Sequence, residues 1–269
     1  MARLWVPAFA GTSGEFDCPM PNLARIPRLY VEARLAPGAT VPLTRQQAHY
    51  VGNVMRLKAG DALRLFNGRD GEYLCTIETA GKRDGAVTCT EQTVRYRQPP
   101  DLDYLFAPLK HARLDYMAQK ATEMGVRRLR PVFTERTVAQ RVNLERLKAN
   151  TIEAAEQCNM VIVPEVLPPE PLDTVLANWD PGRRLIVCDE TAPIADPLAA
   201  LNAVPPGPLA LLIGPEGGFG EAELKALRNL ACVTAISLGP RVMRADTAAV
   251  AALALVQAVH GDWSDHQQD

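Results

Sequence analysis

The stretch from Leu209 to Gly261 constrains the fold more than any other part of this chain of 269 residues. An apolar run, Leu209 to Ile213, breaks at Gly214-Pro215-Glu216-Gly217-Gly218-Phe219-Gly220, and a helix-like segment follows. A second apolar run, Val233 to Leu238, breaks at Gly239-Pro240-Arg241-Val242-Met243-Arg244, before a longer helical segment that begins near Asp246. Strand, glycine loop and helix thus occur twice in succession. Crossovers between parallel strands are right-handed, so both loops are expected to leave the same carboxyl edge of a sheet and to face one ligand.

The composition of the loops narrows the ligand. Gly217-Gly218 accepts positive φ and leaves no Cβ between backbone and ligand, while Pro215 and Pro240 lock φ and remove donors. A phosphate cradle needs a Lys-Ser/Thr ending and no acid among its glycines, and Glu216 argues against an anion. A ligand with hydroxyls or a positive charge fits better, and S-adenosylmethionine has both. Glycine alone favours the plainer alternative, two tight turns that bind nothing.

Charge is segregated along the chain. Residues 20 to 150 carry 22 Lys and Arg against 13 Asp and Glu, a balance of +9, whereas residues 151 to 269 carry 6 against 16, a balance of −10. A basic half of this size points to a polyanion, with nucleic acid the obvious class. Six cysteines, at 18, 75, 89, 158, 188 and 232, form no C-x-x-C pair and have no accompanying histidine cluster. Reduced thiols in a cytoplasmic protein are expected, and no metal site. No run of eighteen apolar residues is present, so no membrane span is expected.

Taken in order, residues 1–24 have no periodicity and no signal-peptide pattern, and read as a disordered extension, with Met20 a second candidate start. From Arg25 to Arg97 the pattern is mostly period two. Ala62 to Phe66, Asn67-Gly68, and Glu72 to Ile77 read as a hairpin, Ala86 to Thr90 as a further strand, and Arg45 to Met55 as a helix capped by Thr44. A small β-barrel with an inserted helix (25–97) satisfies this pattern. After a linker at 96–103, strand-like and helix-like segments alternate: 104–108, helix 111–124 stopped by Gly125, 129–133, helix 143–158, 161–166, helix 172–178, 185–188, and a short helix after Asp196-Pro197. Residues 98–269 are therefore expected to form an α/β domain on a mainly parallel sheet.

Five segments in order carry a resemblance. "HYVGNVMRLKAGDALRLFNG" at 49–68, "KATEMGVRRLRPVFTERTV" at 120–138, "EAAEQC" at 153–158, "LLIGPEGGFGEAEL" at 211–224 and "SLGPRVMRADTAAVAAL" at 237–253 resemble the SPOUT methyltransferases, and within them the family that methylates N3 of a uridine in 16S ribosomal RNA. The resemblance runs from about Arg25 to the end. It implies a PUA-like RNA-binding barrel, a C-terminal SPOUT α/β domain with a trefoil knot, S-adenosylmethionine as cofactor, 16S rRNA or the small ribosomal subunit as substrate, and a homodimer. It also implies that Leu212, Gly214, Glu216, Gly218, Leu238, Gly239, Val242 and Met243 surround the cofactor. The family usually continues "EQC" with Gly-Arg, where this chain has Asn159-Met160, a departure that leaves open an altered RNA contact, a compensating charge elsewhere or reduced activity. Ala245-Asp246 stands where many relatives have Thr-Glu, which preserves the acid.

Methyl transfer to uridine N3 requires loss of an imide proton from an edge that base pairing would hide, so the base must be unpaired or extruded. Arg241, Arg244 and Arg136 are the candidates for stabilising the resulting anion at O2 or O4. Glu216 and Asp246 are the available carboxylates, Asp246 also suiting a helix N-cap. Arg25, Arg28, Arg45, His49 and Arg56 are the candidates for RNA contacts, mainly to phosphates. Two other readings compete with the enzyme. One is an RNA-binding ribosome-assembly module with a vestigial cofactor site; the other, a nucleotide-binding α/β enzyme of small molecules, fits poorly with the basic barrel and with Glu216.

Overall fold

The computed structural model describes residues 23–81, 84–110, 112–189, 191–192 and 196–263. The expected extension lies outside this set except for its last two residues, which enter a single 3-10 turn, Leu23–Arg25. The first unit is a five-stranded sheet, ordered β1-β3-β4-β5-β2, of β1 (Arg28–Tyr30), β2 (Thr40–Leu43), β3 (Ala62–Phe66), β4 (Glu72–Ala80) and β5 (Gly85–Val94). Alternation places Leu63, Leu65, Cys75, Ile77, Val87 and Cys89 in one core, which the sheet curls around. Helix α1 (Arg45–His49) begins at Thr44, whose side chain accepts from Gln47 N while Gln47 Oε1 accepts from Thr44 N. The expected helix to Met55 continues only as a π turn, Tyr50–Val54.

The second unit is a seven-stranded sheet whose pairings are all parallel. In chain order it comprises β6 (Leu102–Phe106), α2 (Ala112–Glu123), β7 (Arg128–Phe133), α3 (Leu144–Gln157), β8 (Glu165–Val166), β9 (Glu170–Pro171), α4 (Leu172–Ala177), β10 (Arg184–Cys188), α5 (Pro197–Asn202), β11 (Leu209–Ile213), α6 (Glu221–Asn229), β12 (Val233–Ile236) and α7 (Ala245–His260). The main path of the sheet is β12-β10-β11-β6-β7-β8. The central strands β6 and β11 are buried at every residue, as parallel strands covered on both faces must be. Helices α2, α3, α5 and α7 cover one face and α4 and α6 the other, with a separate apolar core on each side.

The two units are clamped by a buried cation. Arg28 gives Nε to Glu72 Oε2 (2.6 Å), while its Nη1 and Nη2 reach Ala155 O, Glu156 O and Met160 O at the carboxyl end of α3. Arg64 and Thr93 also bond Glu72. The expectation that Arg28 contacts RNA is corrected here: at 7% exposure its guanidinium is spent inside the protein. Asn159 ends α3 with φ 56°, a left-handed conformation that Asn tolerates better than most residues.

Candidate functional site

The parallel order brings the ends of β10, β11 and β12 side by side, and the loops that leave them enclose a cavity of about 560 Å³. Its floor is apolar, with Ile213, Ile236, Leu238, Met243 and the small Ala245 and Ala248 at the start of α7. The mouth carries Arg136, Glu216 and Arg241, and a third wall is made by Cys188, Asp189, Thr191 and Arg228.

The first glycine loop is shaped by what lies beneath it. A Cβ on Gly214 would come within 2.9 Å of the Phe219 ring, which is buried in the core under α4 and α6. Gly218 has φ +71° and open space above it, so backbone there faces the cavity directly. A neighbouring loop holds the rim: Arg136 Nη1 donates to Gly217 O (2.8 Å), and Glu223 accepts from both Glu135 N and Gly220 N (2.8 Å each). Glu216 pairs with Arg113 from the first turn of α2.

Electrostatics sort the polar groups. Burial pushes the Asp189 carboxyl up, but hydrogen bonds from Arg228 and Thr191 outweigh it and hold the group below its ordinary pKa. Burial pushes the Cys188 thiol up to about 12, so it is protonated at neutral pH and no base.

A family model for an RNA methyltransferase domain matches residues 97–257, and one for an RNA methyltransferase PUA domain matches residues 43–88. The ribosomal RNA small subunit methyltransferase E of Rickettsia conorii is 32% identical over 233 residues, covering 86% of this chain and 94% of the relative. The chain belongs to the ribosomal RNA small subunit methyltransferase E family. The Bacillus subtilis member is 29% identical and covers 81% of the chain and 89% of its own length. A crystal structure of the Neisseria gonorrhoeae member, bound to S-adenosyl methionine, superposes with a TM-score of 0.81 at 26% identity, covering 89% of this chain and all of that one. The chain therefore has the α/β fold of this family together with its PUA-like unit.

Of the residues read as cofactor-binding, Gly214, Glu216, Gly218, Leu238, Gly239, Val242 and Met243 line the cavity. Leu212 does not: alternation along β11 turns its side chain into the opposite core, and its neighbour Ile213 takes the cavity face. Arg136 and Arg241 line the cavity, whereas Arg244 is exposed at the residue preceding α7 and is not among the lining residues. Asp246 is not the N-cap; it lies in the first turn of α7, where a carboxylate suits the positive end of the helix dipole. Asn159 and Met160 close α3 against the first unit and are not among the residues lining this cavity. Sequence reading missed Asp189, Thr191, Arg228 and Arg113. The available signal was an acid directly after a buried strand, at the edge where ligands of parallel sheets collect.

Proposed function

We propose that this protein transfers a methyl group from S-adenosylmethionine to N3 of a uridine in 16S ribosomal RNA of the small subunit. The observation that carries the reading is the cavity itself, in which two glycine loops on one carboxyl edge meet two arginines at the mouth. Its volume lies in the range of small-molecule sites. An apolar floor beside Ile236, Leu238 and Met243 suits a purine ring, and the Glu216 and Asp189 carboxylates suit ribose hydroxyls and a sulfonium. When bound, the cofactor supplies an electrophilic methyl group for in-line displacement.

The chain's part is to hold the acceptor and stabilise its anion. Arg241 and Arg136 offer charge-assisted hydrogen bonds toward O2 or O4 of the uracil, with Arg244 just outside the cavity as a third cation. Among the described lining groups, Cys188 is held protonated, Asp189 is bonded by Arg228 and Thr191, and Glu216 pairs with Arg113, while the arginines offset the charge that develops as the imide proton is lost. Arg25, Arg45, His49 and Arg56 are exposed on the first unit and serve as its phosphate contacts. Residues 25–97 form the RNA-binding unit and 98–269 the transferase, with a trefoil knot in the latter. The protein acts in the cytoplasm as a homodimer; Val242, 92% exposed on the second loop, is the apolar residue that a second subunit covers. Among the described residues no helix is long and apolar enough to cross a membrane.

The test is transfer of labelled methyl from S-adenosylmethionine to small ribosomal subunits lacking the modification, followed by nucleoside analysis. The expected product is 3-methyluridine, lost in Arg241→Ala and Arg244→Ala variants that still fold and bind cofactor. Bound RNA and cofactor with no methyl moved would refute the proposal.

A further inference from the structure

A second cavity, of about 920 Å³, opens between the segment leading into α2 and the segment leading into α3. Its inner wall is apolar, formed by Leu109 and Leu147 of the main core with Leu114 and Val142 packed against them. Its charged lining is Lys110, Arg141 and Arg146 with one acid, Asp115. That acid is already satisfied: Oδ1 accepts from Arg146 Nε and Asn150 Nδ2 (2.8 Å each), and Oδ2 from Arg146 Nη2. Arg146 and Asp115 therefore neutralise one another, and Lys110 and Arg141 remain as two exposed cations over an apolar surface.

Both segments that build this cavity also build the first one. Three residues beyond Lys110, Arg113 pairs with Glu216; five residues before Arg141, Arg136 lines the first cavity and holds Gly217 O. Three to five residues reach at most about 10 to 18 Å, so the two cavities are neighbours along one surface. The amino-terminal ends of α2 and α3 both lie at the second cavity and add to its positive potential.

We propose that this second cavity seats a phosphodiester and its sugar from the RNA strand flanking the target nucleotide, a specificity that rests on the reading of the first cavity as a methyltransferase site. An extruded base leaves its stack at a cost of a few kcal/mol, which contacts to the adjoining backbone must offset. Lys110 and Arg141 take the phosphate, and Leu109, Leu114 and Val142 lie under the sugar or the neighbouring base. A small anion needs neither the volume nor the apolar wall. A strand entering the first cavity provides both, and the two segments that build the second cavity also reach the first.

The test uses full-length protein carrying Lys110→Ala with Arg141→Ala, leaving Arg146 and its structural pair intact. Three quantities are measured: binding of a single-stranded RNA spanning the target uridine at several salt concentrations, cofactor affinity, and KM for small subunits lacking the modification. Loss of the one phosphate that the two cations neutralise on a single strand reduces the slope of log affinity against log salt by about 0.7. The expected result is that reduction, an RNA Kd raised at least tenfold, a raised KM for RNA and an unchanged cofactor Kd, with Lys110→Arg plus Arg141→Lys restoring the slope. An RNA Kd and slope equal to wild type overturn the seat, whether or not methyl is transferred. If the wild type transfers no methyl but the double variant still loses the slope, the seat stands and only the enzymatic reading fails.

Discussion

Arg28→Ala separates a structural cation from an RNA contact. In the folded protein Arg28 donates to Glu72 at 2.6 Å, to Ala155 O at 2.5 Å, to Met160 O at 2.8 Å and to Glu156 O at 3.1 Å, and its guanidinium lies 4.4 Å from the centre of the Phe66 ring. The side chains of Arg28 and Glu72 are 3% and 2% exposed. Removing one partner of a buried pair costs about 3 to 5 kcal/mol, because the other charge stays buried. Here Glu72 keeps Arg64 at 3.2 Å and Thr93 at 2.9 Å, so the lower end applies, about 3 kcal/mol, or about a hundredfold in the folding equilibrium. The matched control is Arg45→Ala, on an exposed arginine of α1, with an expected change within about 0.5 kcal/mol. Guanidinium unfolding followed by circular dichroism reads stability, and the salt dependence of RNA binding reads phosphate contacts. A stability change below about 0.5 kcal/mol in Arg28→Ala, together with a salt slope reduced by about 0.7, the signature of one lost phosphate contact, would refute a buried structural role.

Two further outcomes follow from the first cavity. Gly214→Ala drives a methyl group to 2.9 Å from the buried Phe219 ring, so stability falls by about 1 to 3 kcal/mol and the cofactor Kd rises at least tenfold by calorimetry; unchanged affinity would show that the loop tolerates the shift. The folded pKa of Asp189 lies below its ordinary 3.8, so its stabilisation is complete above that value and is lost as pH falls through the lowered one. Denaturant midpoints between pH 5 and pH 2 therefore drop further for wild type than for Asp189→Asn, and parallel curves would exclude the Arg228 pair as the cause.

Local signals were legible where one residue type does one job. Thr44 and Asn143 cap their helices through their own side chains, Gly125 takes φ +71° just after α2, and the glycine loops leave β11 and β12 as their composition requires. What the sequence hid depends on partners distant in the chain. Arg28 and Arg45 are both arginines in a basic segment, yet one is buried against Glu72 and Ala155, respectively 44 and 127 residues away. The stretch 161–166 looked like a strand from its β-branched residues, but only Glu165–Val166 pairs, because β8 meets β7 at just two positions. Leu212 and Ile213 are indistinguishable by composition, and strand alternation alone sends one to the core and the other to the cavity.

Helix α3 joins these observations into one mechanical argument. Its amino end stands at the second cavity, where Asn143 caps it and Arg146 in its first turn pairs with Asp115 of α2. Its carboxyl end is held to the first unit by Arg28, and Glu156 Oε1 accepts from Tyr30 N. Fourteen residues at 1.5 Å each make a strut of about 21 Å between the two attachments. The exposed cations around α1 and those of the second cavity are thus linked through α3, and under the proposed RNA contacts a strand held at both points would have its register set by the length of α3. On this argument the burial of Arg28 serves recognition more than a surface contact would. A phosphate contact adds affinity at one position, whereas the clamp ties together the two surfaces proposed to meet RNA. Loosening it in Arg28→Ala is then expected to lower discrimination between the target uridine and its neighbours before it abolishes binding.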